Sequence, residues 1–179
     1  SRTREIVFPS YTYGQHAQPT TYAHWLSMWN AVFARDFVRL KAALDATNRS
    51  PAGAAAVTGS DFPLNRERTA QLLGFEEPLV NTMDATLSND SFLECAAAMR
   101  ILAGNIARLD EDLLFWSTVE AHVLTIPDRF CDTSSIMAQK RNPYVLHEMR
   151  ALSVVANSAL VATFDSETGA TGQAVLARK

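Results

Sequence analysis

Apolar side chains recur at helical spacing in several stretches of this chain, and the first stretch predicts a long helix. Its apolar positions lie three or four residues apart and are Trp25, Trp29, Phe33, Phe37, Leu40 and Leu44. Thr20 or Thr21 is suited to cap the N-terminus of this helix, because a threonine hydroxyl can accept a hydrogen bond from a free backbone N–H. Asn48, Pro51 and Gly53 are expected to end it.

A second and longer stretch, from Ser88 to Trp116, carries a heptad pattern held for about four heptads. The apolar positions of this seam are Phe92, Cys95, Met99, Leu102, Ile106, Leu109, Leu113 and Trp116. The charged residues Arg100, Arg108, Asp110 and Glu111 fall off the seam. A helix of this length needs partner helices along its whole apolar face. The pattern therefore predicts a long antiparallel bundle, or an oligomer built from one.

The remaining segments are shorter. Ser1 to Pro19 is expected to be irregular, with Tyr11 to Gly14 extended or turning. Pro51 to Asp61 is rich in small residues and predicts a close-packed loop or a flexible linker. A short helix is predicted from Leu64 to Leu73, closed by a glycine at position 74.

Pro143 suits the first position of a last helix, after an irregular segment that follows Pro127. The apolar face of this helix is formed by Val145, Leu146, Met149, Leu152, Val155, Ala156 and Leu160. The fold class is therefore predicted to be all-α, a bundle of long helices over residues 1–164. Residues 165–179 are predicted to form a polar C-terminal tail.

Composition and charge argue against several classes of protein. A net charge of -3 and the absence of a strongly basic stretch argue against a nucleic-acid partner. No apolar run is long enough for a membrane span, and no signal peptide is recognisable, so a cytoplasmic protein is expected. Cys95 and Cys131 are interpreted as small buried residues in a reducing compartment rather than as a disulfide.

Neither a metal nor a cofactor is predicted. The four histidines, His16, His24, His122 and His147, lack the spacing of metal ligands. The glycine-rich motifs of phosphate-binding and dinucleotide-binding loops are absent from the sequence.

The segment from Thr133 to Pro143 carries the clearest candidate chemistry. It reads Thr-Ser-Ser-Ile-Met-Ala-Gln-Lys-Arg-Asn-Pro, with hydroxyls ahead of Lys140, Asn142 and a proline-started helix. A lysine and a helix N-terminus together favour an anion such as a carboxylate. The alternative interpretation is a polar helix-capping loop with a surface lysine.

This segment resembles the signature of the fumarase/aspartase superfamily, written G-S-x-x-M-x-x-K-x-N. The matching residues are Ser134, Met137, Lys140 and Asn142. A second stretch, Tyr-Thr-Tyr-Gly-Gln-His-Ala-Gln-Pro at positions 11–19, resembles another active-site segment of the family. A third, Gly-Ser-Asp-Phe-Pro-Leu-Asn-Arg-Glu at positions 59–67, is similar to the argininosuccinate lyase branch in particular. The resemblance covers about Tyr11 to Val161 and implies the central helical domain of that fold.

The resemblance also implies roles for individual residues. Ser134 takes the place of the family's general base, which removes a proton from the carbon next to a substrate carboxylate. Lys140, Asn142 and Thr12 are expected to stabilise the doubly charged intermediate that forms. The remaining expected substrate-binding residues are Ser135, Met137 and Gln18.

Four positions depart from the family pattern. The family's histidine in the second segment is replaced by Tyr13, and the glutamate that partners it is replaced by His147. Tyr13 and His147 are two further candidate catalytic residues, as a replacement pair in which the imidazole polarises the phenol. A plain buried hydrogen bond between them is the alternative. Thr133 and Ala138 replace a glycine and a proline of the signature loop.

The resemblance implies a carbon–nitrogen lyase that splits an N-substituted aspartate, argininosuccinate or another aminocarboxylate, into fumarate and an amine. It implies a homotetramer with composite active sites, and further segments beyond this chain that complete them. A noncatalytic bundle like the lens crystallins is one alternative. A relative with different chemistry, such as an adenylosuccinate lyase or a cycloisomerase, is another.

Overall fold

The computed structural model describes residues 2–167, and most of them are helical. Five α-helices follow one another along the chain: α1 is Tyr22–Thr47, α2 is Arg66–Leu73, α3 is Thr82–Leu87, α4 is Asp90–Trp116 and α5 is Tyr144–Ser166. Short 3-10 helices lie at Arg2–Glu5 and Asp128–Phe130. The predicted fold class, a mainly helical architecture with long helices, is confirmed.

Three pairs of short strands complete the described structure. The strands are β1 at Val7–Thr12, β2 at Gln15–Thr21, β3 at Arg49–Ser50, β4 at Glu77–Pro78, β5 at Asp132–Thr133 and β6 at Arg141–Asn142. The pairs β1–β2 and β5–β6 are antiparallel, and the pair β3–β4 is parallel.

The prediction that Ser1 to Pro19 is irregular is wrong for most of residues 7–19, which form a β-hairpin together with Thr20 and Thr21. The extended or turning backbone predicted for Tyr11 to Gly14 is confirmed. Tyr13 and Gly14 make the two-residue turn with positive φ angles of 52° and 70°. Both turn positions of a type I′ hairpin require that left-handed backbone, which glycine tolerates and tyrosine adopts at a cost. The strands were not predicted because proline, which is unusual inside a strand, stands at both 9 and 19. A register shift between Pro9 and Tyr11 also interrupts the regular pairing of the two strands.

The helix boundaries follow local capping chemistry. Thr21 accepts a hydrogen bond from the backbone N–H of His24 at 3.2 Å, which confirms it as the cap of α1. Asn65 caps α2 by accepting from the N–H of Arg68 at 2.8 Å, and Gly74 ends that helix with a φ of 83°. Ser88, at the start of the predicted heptad stretch, instead follows α3, and α4 begins at Asp90.

The described chain divides into two compact units, one of residues 2–37 and 101–157, the other of residues 38–100 and 158–167. In the first unit an aromatic cluster joins the hairpin, α1 and α4. The rings of Phe8 and Trp116 meet edge to face with their centres 4.8 Å apart, and the ring of Trp25 lies 4.6 Å from that of Trp116. The indole N–H of Trp25 donates to Asp112 at 2.9 Å. Burial of these large rings stabilises this end of the helices.

Polar pairs also join the helices of the first unit. The side-chain amide of Asn105 on α4 donates to the carboxylate of Asp36 on α1 at 2.8 Å. Arg150 on α5 forms an ion pair with Glu111 on α4 at 2.8 Å. Because these partners are far apart in sequence, they fix which faces of the helices meet.

In the second unit, Arg66 at the start of α2 holds the surrounding loops. Its guanidinium donates to the backbone carbonyls of Ala52 and Leu79 at 3.2 and 2.7 Å. The backbone of Gly53 lies against the same side chain, with a positive φ of 78°. The small-residue segment after α1 is therefore a packed loop, in agreement with the first of the two predictions made for it.

The apolar seam of α4 is unevenly covered. Trp116 at its end is 5% exposed, whereas Phe92 and Met99 nearer its start are 57% and 44% exposed. The predicted partner helices for this part of the seam remain a prediction. No helix within residues 2–167 is long and apolar enough to cross a membrane. Most of the predicted polar tail, residues 168–179, lies outside the described residues.

Candidate active site

The signature loop, defined here as residues 133–143, is closed at its base by β5 and β6. Thr133 pairs with Arg141, and Asp132 pairs with Asn142, in an antiparallel ladder. Ser134 therefore follows directly after one strand, and Lys140 comes directly before the other. The backbone N–H of Lys140 donates to the carbonyl of Met137 at 3.0 Å, which makes a turn inside the loop. Thr133, in a strand, has no need of the backbone freedom of the family's glycine.

Ser134 is held by the backbone of its own loop. Its Oγ accepts hydrogen bonds from the N–H groups of Met137 at 3.1 Å and Ile136 at 3.3 Å. Ser134 is half-buried, whereas its neighbour Ser135 is exposed. Hydrogen bonds donated to an oxygen favour its negatively charged form. Two backbone N–H groups are therefore in place to stabilise negative charge on this oxygen.

A cavity of about 640 Å³ lies beside the loop, within the first compact unit. Met137, Lys140 and Asn142 line one side of it. Leu114 and Ile126 give it apolar walls, and the pocket is large enough for a small organic acid. The structure thus brings three of the predicted site residues to one cavity.

The far end of the loop is fastened to the segment before it. The guanidinium of Arg141 donates to the carbonyl of Ile126 at 3.1 Å and forms an ion pair with Asp128. Asp128 lies in the short 3-10 helix that precedes β5. These contacts, together with the β5–β6 pairs, fix both ends of the loop while residues 135–140 stay exposed.

His122 also lines the cavity, and sequence reasoning did not single it out for this place. Its φ is 46°, a left-handed backbone that is rare for a residue other than glycine. The turn it belongs to ends α4, because the N–H groups of Val123 and Leu124 both return to the carbonyl of Trp116. Strained backbone of this kind is concentrated at functional sites, and no sequence pattern could have located it.

The hairpin candidates lie apart from the loop candidates. Thr12 pairs with Gln15 at the end of β1, and Gln18 lies in β2. Tyr13, at the tip, is fully exposed at 104%. Within residues 2–167, no hydrogen bond or ion pair joins Thr12, Tyr13 or Gln18 to the signature loop. The hairpin instead docks on the end of α4, where the ring of Tyr11 meets that of Phe115 at 4.9 Å.

Tyr13 and His147 do not form a pair within the described chain. His147 lies in the first turn of α5 with an exposed side chain, and it acts electrostatically on Asp110 of α4. Asp110 is fully buried. Burial is the main reason that the pKa of Asp110 is raised above 3.8, and the charge of Glu111 adds to the increase. His147 and Arg150 act in the opposite direction.

Known proteins of similar sequence are lyases. The sequence model of a protein family described as lyase matches residues 1–157. An argininosuccinate lyase of Methanocorpusculum labreanum is 44% identical over 156 residues, which are 87% of this chain and 32% of the relative.

Solved structures agree with the helical architecture. EDDS lyase in complex with formate superimposes with a TM-score of 0.92 at 34% identity, over 96% of this chain and 35% of that one. A variant of the same enzyme, with bound fumarate, gives a TM-score of 0.91. A class II fumarase from Schistosoma mansoni has a TM-score of 0.80 at 18% identity, covering 96% and 41% of the two chains, and shares the fold.

The signature loop, the long helices and these similarities agree. The chain belongs to this lyase family, as an argininosuccinate lyase-like member of the fumarase/aspartase superfamily. It spans about a third of the length of the curated relatives that it matches.

Proposed function

We propose that the whole protein is a carbon–nitrogen lyase that eliminates an amine from an N-substituted aspartate and releases fumarate. Membership of the family supports this reaction class, and a structural neighbour at 34% identity was solved with bound fumarate. Argininosuccinate and other aminocarboxylates are the candidate substrates. They share the succinyl half and differ in the amine that leaves.

Ser134 is the general base of this proposal, and its hydrogen bonds carry the argument. A serine hydroxyl is a poor base, so the reaction needs an environment that favours the alkoxide. The N–H groups of Ile136 and Met137 supply it by donating to Oγ. The alkoxide takes a proton from the carbon next to a substrate carboxylate, and that carboxylate accepts the electron pair as a second negative charge.

The second negative charge on the substrate carboxylate is stabilised by groups that are already in place. Lys140 supplies an ammonium and Asn142 an amide, and both line the cavity. The N-terminus of α5, which starts just after Pro143, adds the positive end of a helix dipole. Preorganised donors of this kind are commonly the largest contribution to catalysis.

The amine leaves when the electron pair on carbon forms the double bond and the carbon–nitrogen bond breaks. The departing nitrogen needs a proton, and Tyr13 and His147 are the proposed donors because they replace the family's His–Glu pair. Tyr13 is presented at the tip of a hairpin, on a strained backbone and with its side chain fully exposed. That presentation suits a residue which completes a site on another chain.

We also propose that the active site is composite and that the protein is a homotetramer. Within the part of the chain that the structure describes, no hydrogen bond or ion pair joins Thr12, Tyr13 or Gln18 to the signature loop. The exposed part of the α4 seam, around Phe92 and Met99, offers an apolar face for helices of a second copy. Contacts between copies would bring one chain's hairpin to another chain's loop.

Fumarate release by the whole protein tests the proposed function. The substrates are argininosuccinate and a panel of other N-substituted aspartates, and the variant is Ser134→Ala. We expect fumarate from at least one substrate and a loss of about 10³-fold or more in kcat for the variant, with assembly retained.

Ser60→Ala is the matched control, because it removes a similar turn in which Ser60 accepts a hydrogen bond from the N–H of Phe62 at 3.2 Å. It measures the effect of losing a serine turn outside the proposed site. Equal loss in both variants would point to a structural role for Ser134. A correctly assembled protein that releases no fumarate from the entire panel would instead favour the noncatalytic bundle or a relative with different chemistry.

A further inference from the structure

The cavity beside the signature loop lies at the end of one long helix and at the start of another. Leu114, which lines it, belongs to the last turn of α4, and the lining residues Ser117 and Thr118 follow directly. Asn142 and Pro143, which also line it, directly precede α5. The C-terminal end of a helix carries partial negative charge, and the N-terminal end carries partial positive charge. The cavity is therefore in contact with helix ends of opposite polarity.

The charged side chains of the cavity follow the same division. Lys140 adds a positive charge close to the start of α5, whereas Glu120 adds a negative charge just beyond the end of α4. Arg141 also lines the cavity, but its guanidinium forms an ion pair with Asp128. Among the described residues, none forms a hydrogen bond or ion pair with the carboxylate of Glu120. Glu120 is therefore the acidic group that the cavity offers to a ligand.

The backbone that carries Glu120 is fixed by several hydrogen bonds. It belongs to the exit turn, defined here as residues 117–124, which follows α4. The hydroxyl of Thr118 donates to the carbonyl of Phe115 at 2.7 Å and accepts from the N–H of Ala121 at 3.2 Å. The N–H of His122 donates to the carbonyl of Thr118 at 2.9 Å. A glutamate on such a turn loses less freedom when it binds a ligand, so it is suited to select one.

We propose that Glu120 is a specificity-determining residue for the amine half of the substrate. This inference rests on the proposed function, in which Lys140 and Asn142 stabilise the carboxylate next to the reacting carbon. With the succinyl half bound near the start of α5, the amine half extends toward the end of α4. Glu120 accepts hydrogen bonds there from an ammonium or a guanidinium that lies beyond the scissile nitrogen. The preferred substrates are N-substituted aspartates whose amine half carries this additional positive charge.

The same charges disfavour two other classes of amine half. A carboxylate placed beside Glu120 would be repelled by this side chain and by the negative end of α4. An uncharged, apolar group would contact the cavity wall but would gain nothing from Glu120. Charge complementarity of this kind contributes more to specificity than to affinity. The proposal therefore concerns the choice between substrates of similar size.

Two compounds of nearly equal size test this choice in the whole protein. N-(2-aminoethyl)aspartate carries an ammonium group where N-propylaspartate carries a methyl group. Calorimetry in the Ser134→Ala variant compares their Kd values without turnover. We expect the ammonium compound to bind about fivefold more tightly, which is the upper range for an ion pair in contact with solvent. Glu120→Gln in the same background should remove most of this difference.

Glu76→Gln is the matched control, because Glu76 is an exposed glutamate that does not line the cavity. It should leave the ratio of the two Kd values unchanged. Glu120→Lys supplies a second variant, which should reverse the preference in favour of N-(2-carboxyethyl)aspartate. Equal affinity for the ammonium and methyl compounds, no binding of either, or a ratio that Glu120→Gln does not change would overturn the proposal.

Kinetics separate this inference from the proposed function. With active protein, Glu120→Gln should lower kcat/KM about fivefold for N-(2-aminoethyl)aspartate and leave that for N-propylaspartate unchanged. Equal losses for both compounds would show that Glu120 does not distinguish between them. If no compound gives fumarate, the proposed function fails, and the calorimetric ratio still decides whether Glu120 selects a cationic ligand.

Discussion

Asn105 on α4 donates its side-chain amide to the carboxylate of Asp36 on α1 at 2.8 Å, and Asp36 is only 2% exposed. The two residues are far apart in sequence, and neither lies at an apolar position of its helix. Each helix therefore carries a polar residue that is tolerated in the interior because the other helix satisfies it. The pair ties these two helices together in one register.

Replacing Asn105 by leucine should destabilise the protein by about 1–3 kcal/mol, because Asp36 stays buried and loses this donor. Urea unfolding at a fixed protein concentration measures the change. Lys41→Ala is the control, since it breaks an exposed pair with Asp45, about 62% exposed on each side, and should cost less than about 1 kcal/mol. Equal effects of the two variants would contradict the special role of the buried pair.

Removing the charge of Asp110 should stabilise the fold near neutral pH. Its pKa is raised in the folded state, chiefly by burial, so ionisation weakens the fold as the pH rises above 3.8. Asp110→Asn is therefore expected to be more stable than the wild type at pH 7, by about 1 kcal/mol.

The difference should shrink as the pH falls and vanish below about pH 3.8, where the aspartate is protonated in both states. Urea unfolding at several pH values and a fixed protein concentration measures this difference. A variant less stable than the wild type at pH 7 would show that the carboxylate stabilises the fold.

Lys140→Gln should lower kcat by about 10²- to 10³-fold with a smaller effect on KM, because the ammonium acts most strongly on charge that develops in the transition state. Lys140 is exposed on the cavity side of the loop, so the variant should fold and assemble normally. Steady-state kinetics of fumarate release measure both parameters. Lys41→Gln, an exposed lysine of α1 whose partner is Asp45, is the matched control. A KM effect alone would make Lys140 a binding residue only.

At position 122, glycine should give a more stable fold than alanine. His122 holds a φ of 46°, and a side chain in that left-handed conformation costs about 1–2 kcal/mol. His122→Gly should therefore be more stable than His122→Ala by about 1 kcal/mol, since both variants lack the imidazole and only alanine keeps the Cβ. Thermal unfolding of the two variants compares them directly. If they unfold together, the backbone at this turn is not strained in solution.

The site was only partly predictable from the sequence. The signature motif pointed to Ser134, Met137, Lys140 and Asn142, and the last three do line one cavity. The hydrogen bonds from Ile136 and Met137 to Ser134 depend on how the loop turns between β5 and β6. No residue spacing encodes that turn, because it depends on a two-residue strand pair and on contacts to the preceding segment.

The sequence by itself determined the long helices and their ends. Apolar spacing located α1, α4 and α5, while Thr21 and Gly74 marked boundaries through a hydrogen bond or backbone freedom that acts over a few residues. Because such signals are local, they can be identified from the sequence without the structure.

Only the tertiary structure decided the hairpin, the left-handed backbone of His122, and the burial of Asp110 opposite α5. The hairpin depends on strand pairing, and its two prolines are residues that argue against a strand in a sequence. Asp110 lies beside the apolar seam, where a charged residue is normally exposed to solvent. Two of the charged groups that act on it, His147 and Arg150, belong to α5, about forty positions further along the chain. Whether a carboxylate is solvated or buried depends on which helix faces cover it, and the spacing along one helix does not specify that.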